Sequence, residues 1–250
     1  MDRRTLLTAL SGLPIIACAA RPLSLQDIVD RNVEARGRAA ALDGVRTCAI
    51  DLQITERGQT IPLRYYASID RLARVDVMIE GQRAYSEGVD SQGVWLWPAD
   101  APAATPSVAE GAANALLHGV EMNLVGLHRF EERGSRLTLQ APEMIDGVDY
   151  QVIECVYPTT HVTNFYIDPA SWHIVRRRDR RAYHPDADLT QQNVETRFSD
   201  FQAVDGVIAA HLNEDYDLDS GALISTARVL TRRLNPDLPE GLFERSYMPV

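Results

Sequence analysis

The sequence predicts a mainly β protein with a few helices: a single curled antiparallel sheet with an N-terminal helix and a mid-chain helical lid. Three observations carry this. Apolar residues alternate with a period of two over most of the chain beyond residue 47, the pattern of strands buried on one face. Turn signals such as Arg57-Gly58, Asp146-Gly147 and Asp205-Gly206 recur at short intervals, which implies hairpins joined as a meander. Between residues 98 and 134 the alternation stops, and small apolar stretches with helical spacing replace it.

The elements follow in order. A basic start, Met1-Asp2-Arg3-Arg4, precedes an apolar run over residues 5–17 and then Cys18-Ala19-Ala20. This is the pattern of an export signal. The run falls short of the ~20 apolar residues that span a bilayer. Three processing routes are open. Ile15-Ile16-Ala17-Cys18 resembles a lipobox, which would leave Cys18 as an acylated N-terminus. Ala17-Cys18-Ala19 also fits ordinary small-x-small cleavage, and Arg3-Arg4-Thr5-Leu6-Leu7 resembles a twin-arginine signal. The expected organisation is an export signal over residues 1–18 and one domain over residues 24–250, located in the periplasm or held there as a lipoprotein of the outer membrane.

Ser24-Leu25-Gln26-Asp27 resembles a capping box with Asp in place of Glu. The spacing of Ile28, Val29, Val33 and Leu42 predicts a helix over residues 24–41, interrupted near Gly37. Strands are predicted over residues 48–55, 61–67, 73–79, 83–87 and 94–97. Ser107 is placed to cap a helix running to about His118, with a second short helix over residues 122–130. Strands resume over residues 136–140, 150–157, 162–168, 174–183, 192–204, 207–218 and 223–234. A sheet of about twelve strands must curl into a barrel or half-barrel.

The net charge is −10, and losing Asp2, Arg3 and Arg4 with the leader makes it one unit more negative. That argues against nucleic acid and against attraction to anionic lipid. Every basic residue is arginine, which excludes Schiff-base lysine chemistry. The histidines show no metal-ligand spacing, and neither a nucleophile elbow nor a phosphate-binding glycine loop is present. No cofactor and no metal are therefore expected. Asp215, Asp217 and Asp219 alternate on one strand face, a pattern compatible with Ca²⁺ but more economically a solvated face. Arg176-Arg177-Arg178 with Arg180-Arg181 is the one basic cluster, suited to lipid phosphate, an acidic partner or simple charge balance. Cys48 and Cys155 sit in predicted strands; their pairing is left open, with two buried thiols the simpler reading.

The order of local motifs resembles the LolA/LolB-like outer-membrane lipoprotein-sorting superfamily over nearly all of residues 24–250. The matching stretches are Glu34-Ala35-Arg36-Gly37 at the end of the first helix, Asp90-Ser91-Gln92-Gly93-Val94-Trp95, and Asp146-Gly147-Val148-Asp149-Tyr150. Phe165-Tyr166-Ile167-Asp168-Pro169, Ser199-Asp200-Phe201 with Asp205-Gly206-Val207, and a tail from Leu234-Asn235 to Leu242-Phe243 complete the set. The resemblance implies a half-barrel of about eleven strands, with helices across its concave face and a hollow that takes acyl chains. It is closer to the broad lipoprotein-sorting-like group than to a sorting chaperone.

On that reading the hollow would be lined by Ile50, Leu52 and Ile54, by Leu63 and Tyr65, and by Val75 and Val77. Trp95 and Trp97, then Phe165 and Ile167, would add to it, and Leu116 and Leu117 would face it from an alanine-rich lid at residues 109–117. The bland alternative for each is an ordinary filled core. The function expected is non-enzymatic binding of a lipid or acyl group by a monomer, in lipid or lipoprotein trafficking. The expected partners are a lipid or acylated protein, and a membrane surface reached through Cys18. The alternative is an envelope sensor or protein-interaction module without a lipid ligand.

Overall fold

A computed structural model describes residues 21–107, 110–183 and 188–247. Cys18 and the rest of the leader lie outside the described residues. Among the described residues no helix is long and apolar enough to cross a membrane.

The chain begins with helix α1 (Leu25–Ala35), and the capping box is formed. The Ser24 hydroxyl accepts from the Asp27 N–H at 3.2 Å, and the Asp27 carboxylate accepts from the Ser24 N–H at 2.8 Å. The helix stops at Gly37, whose φ of 118° is followed by 76° at Arg38, before a short α2 (Ala39–Asp43). The stop is a contact requirement. A Cβ on Gly37 would lie 1.9 Å from the Gly206 carbonyl oxygen, and the neighbouring Arg36 carbonyl accepts from Ile208 N–H at 2.9 Å. Only glycine allows this approach of helix end to hairpin.

Strands β1 (Thr47–Glu56), β2 (Gln59–Ser68), β3 (Leu72–Ile79), β4 (Gln82–Asp90), β5 (Gly93–Pro98) and β6 (Thr105–Pro106) form an antiparallel meander. Helix α3 (Glu110–Leu124) and a 3-10 turn (Leu127–Arg129) follow. The second half comprises β7 (Arg136–Leu139), β8 (Glu143–Ile145), β9 (Val148–Val156), β10 (Val162–Ile167), β11 (Ile174–Ala182), β12 (Gln191–Val204), β13 (Val207–Asp217) and β14 (Leu223–Leu234). The last strand, β14, returns to pair with β1, giving the order β6-β5-β4-β3-β2-β1-β14-β13-β12-β11-β10-β9-β7, with β8 on β9. The result is one open, curled antiparallel sheet of fourteen strands. The two strands beyond the twelve expected are β6, of two residues, and β8, of three, too short to show any periodicity.

The hairpins Arg57-Gly58, Asp146-Gly147 and Asp205-Gly206 each put both central residues at positive φ, the I′ geometry that matches strand twist. The inner face of the sheet carries the main core. Ile28, Val29 and Val33 of α1 and Leu116, Val120 and Leu124 of α3 pack there with Ile50, Val75, Val77, Ile153, Phe165 and Ile167. Helix α3 lies against β1 to β5.

One long helix replaces the two short ones expected between residues 107 and 130. Gly119 and Glu121 fall in the gap between the two expected helices, and both serve packing. A Cβ on Gly119 would sit 3.1 Å from the Tyr65 hydroxyl. Glu121 is 6% exposed and makes a bidentate ion pair with Arg133 at 2.7 and 2.8 Å.

Candidate functional site

The sequence-predicted cavity residues separate into two groups. Ile50, Val75, Val77, Phe165, Ile167 and Leu116 are buried in the core, with Leu52, Leu63, Tyr65 and Leu117 half-buried against it. They face inward but meet the helices, so they fill the sheet rather than line an open space. Ile54 lies farther along β1, outside this core, opposite Ala227 of β14.

Trp95 and Trp97 are a correction: they lie on the opposite, convex face. In register, Trp95 faces Gly88 and Gly88 faces Arg74, while Trp97 faces Ser86 and Ser86 faces Asp76. All share one side of the sheet, away from Val75 and Val77. The C-terminal tail covers them. Trp95 Nε1 donates to the Phe243 carbonyl at 3.2 Å, and the fully buried Arg74 donates to the Leu242 and Tyr247 carbonyls and pairs with Asp76 at 2.8 Å. Gly88 leaves the space for the Trp95 ring, since a Cβ there would fall 2.4 Å from it.

The open space lies elsewhere on the inner face. A hollow of about 290 Å³ separates α3 from β11 to β14. Ala115, Gly119 and Met122 form its helical wall, and Ile174, Phe198, Phe201, Ile208 and Ala227 its apolar floor. Arg36, Arg177, Arg232, Asn123, Asn213, His173, Thr196 and Asp215 supply polar groups. The hollow is therefore amphipathic, with polar and apolar lining in nearly equal measure, more polar than the usual apolar ligand site, and its volume is at the small end of such sites.

Sequence periodicity missed this floor for a local reason. Asp200 adopts a φ of 52° and interrupts the pairing between Ser199↔Leu212 and Phe201↔Ala210. Phe198 and Phe201, three residues apart, consequently both line the hollow, which strict alternation forbids.

The arginine cluster divides by face. Arg176 and Arg178 point outward, where both pair with Glu195 and Arg178 pairs also with Glu143 at 2.7 Å. Arg177 and Arg181 point inward and share Asp179, whose carboxyl lies well below its usual range despite burial because these cations surround it. The Asp215–Asp219 series is not a cation site. Asp215 accepts from Thr196 and Tyr183 and pairs with Arg181, Asp217 caps the following turn, and Asp219 meets Asn193. Among the described residues no cluster of three or more His, Cys, Asp or Glu is arranged to hold a metal.

Beside the hollow, the His118 ring of α3 stacks between Tyr157 and His161, with centroids at 4.0 and 4.6 Å. Burial, reinforced by His161, pushes its pKa down to about 3. Cys48 and Cys155 are buried free thiols, raised by burial to about 11 and about 12; thiolate chemistry is thus suppressed at both.

An open antiparallel sheet curled around helices, with a mixed apolar and cationic hollow on its inner face, defines a half-barrel. The fold is that of the LolA-like superfamily. The chain is similar to a LolA superfamily protein from Nitrosomonas europaea, with 13% identity and a TM-score of 0.59 over 91% of this chain and 100% of that one. A DUF1329 family protein from Desulfovibrio piger matches at 13% identity and a TM-score of 0.57, covering 88% and 97%. A Vibrio parahaemolyticus domain described as an outer membrane lipoprotein-sorting protein matches at 10% identity and 0.57, covering 87% and 95%. No protein-family model and no curated protein matches the sequence.

Proposed function

We propose that this is an exported, non-enzymatic binding protein that holds a lipid or acyl group in the hollow between α3 and β11 to β14, in the periplasm or tethered to a membrane through Cys18. One observation carries the reading: the inner face is packed under most of α3 yet stays open beside Met122, Phe198, Phe201 and Ala227. Apolar surface left uncovered in a folded chain favours an apolar occupant, at about 25 cal/mol per Å² buried before ordering costs. The leader sequence supports a location where such ligands occur, and the fold supports carriage rather than catalysis.

Native mass spectrometry of protein purified from the cell envelope is expected to show a lipid-sized adduct. Ala227→Trp, which places a large ring in the hollow, is expected to weaken binding of a fluorescent fatty-acyl probe by about tenfold or more, or 1.4 kcal/mol. Native protein with no adduct and no probe binding would rule the function out. Trp95 and Trp97 are poor reporters because they lie on the other face.

A further inference from the structure

The hollow is cationic at one end. Arg36 Nη1 donates to the Val125 carbonyl at 3.1 Å, and Arg232 Nη1 donates to Asn123 Oδ1 at 2.9 Å. Both arginines thus gather at the C-terminal end of α3, and both line the hollow. A guanidinium carries five N–H donors, so one bond each leaves most of them unused. Arg232 Nε is buried with no partner, as is His173 Nδ1 nearby.

Charge sharpens the point. Arg177 and Arg181 on the same face are balanced by Asp179 and Asp215. Among the described residues, Arg36 and Arg232 pair with no carboxylate. Burial first, and Arg232 second, hold Arg36 down to about 10, as expected for like charges in a half-dry space. Each arginine holds the end of α3 through one contact, Arg36 at a backbone carbonyl and Arg232 at the Asn123 side chain, and an uncompensated pair of cations costs stability. An anion would offset that cost.

Distance separates this end from the acidic one. Ile208 N–H bonds the Arg36 carbonyl, while Asp215 lies seven residues farther along β13, roughly 23 Å at strand rise. Asp215 is already held by Arg181, Thr196 and Tyr183, so it does not oppose an anion beside Arg36. Phe198, Phe201 and Ala227 provide apolar floor.

We propose that the hollow binds a single-chain amphiphile head first, with an anionic carboxylate or phosphate clasped by Arg36 and Arg232 and the alkyl chain lying over Phe198 and Phe201. This rests on the reading that the hollow takes an acyl group and adds the class of its head. The volume of about 290 Å³ suits one chain rather than the several of a complete lipoprotein anchor.

The test is calorimetric titration of the native protein, Arg36→Gln, Arg232→Gln and the double variant with dodecanoate, dodecyl phosphate, dodecanol and inorganic phosphate. The two alkyl anions are expected to bind native protein at least about tenfold tighter than dodecanol. Each single variant is expected to lose most of that preference and keep its dodecanol affinity, which also reports an intact hollow. The tighter of the two alkyl anions identifies the head as carboxylate or phosphate. The variants are further expected to melt no lower than native protein; a purely structural pair of arginines would lower the melting temperature. Equal binding of dodecanol and the anions overturns the anionic head while leaving acyl binding in place. Binding of inorganic phosphate as tightly as dodecyl phosphate overturns the amphiphile, and binding of no alkyl probe overturns both readings.

Discussion

His118 shows how a single residue ties the lid helix to the sheet and to pH. Its ring is 7% exposed, lies between Tyr157 and His161, and bonds Thr159 Oγ1 at 3.2 Å. Folded, it titrates at about 3 instead of 6.5. Unfolding exposes the imidazole, which takes up a proton below its ordinary pKa. The stability gained by keeping it neutral is therefore complete above about pH 6.5 and is lost as pH falls toward about 3, by up to about 1.4 kcal/mol per pH unit. Between about pH 7 and about pH 5, native protein should lose about 2 kcal/mol more than His118→Phe in urea unfolding. Equal losses in the two proteins would show that His118 does not set this limb. Periodicity cannot reveal this role: a lone histidine in an alanine-rich stretch looks the same whether it is solvated or stacked, and its partners lie about forty residues away.

At the scale of elements, periodicity was legible and facing was not. The strands of the meander appeared wherever apolar residues alternated, and the capping box located the start of α1. Yet Val94-Trp95-Leu96-Trp97 offers two apolar stripes, and alternation alone does not say which one the core receives. The choice is made by Arg74, Asp76 and Ser86 on neighbouring strands and by the returning tail. That tail is a strap rather than loose chain. Arg74 joins Asp76 to the Leu242 and Tyr247 carbonyls, and Arg245 grips Asp90 with two bonds of 2.8 Å. Arg74→Met would leave Asp76 buried with its main countercharge gone, so the expected cost is about 3–5 kcal/mol. The double variant Arg74→Met/Asp76→Leu should recover much of it, because no unpaired charge remains. Hydrogen exchange at residues 242–247 should rise in Arg74→Met. Native-like protection of the tail in that variant would show that the strap is held by something else.

For the whole molecule, the curled sheet followed from strand count, but the hollow did not, because it depends on where α3 fails to touch the sheet. Contact between α3 and β1 to β5 closes one half of the inner face, and on the other half the irregularity at Asp200 lets both Phe198 and Phe201 line the open space. Its edge strands β6 and β7 have two and four residues, too short to invite a second copy by strand addition.

Tethering would place that hollow near lipid. Six residues separate Cys18 from the first residue of α1, a reach of at most roughly 25 Å when extended. An acylated Cys18 would thus keep the start of α1 within about that distance of the bilayer, and the Arg36 end of the hollow, one helix length of about 16 Å farther along, within about 40 Å. Two or more acyl chains anchor stably where one does not, at about 0.8 kcal/mol per buried methylene. The expectation is that the native chain sediments with membranes and carries the mass of an acylated Cys18 at its N-terminus, while Cys18→Ser moves to the soluble periplasmic fraction with its alkyl-probe affinity unchanged. A native protein recovered soluble, with its N-terminus cut beyond Cys18, would make it a freely diffusing carrier. Binding lost along with the tether would place part of the ligand site in the N-terminal segment.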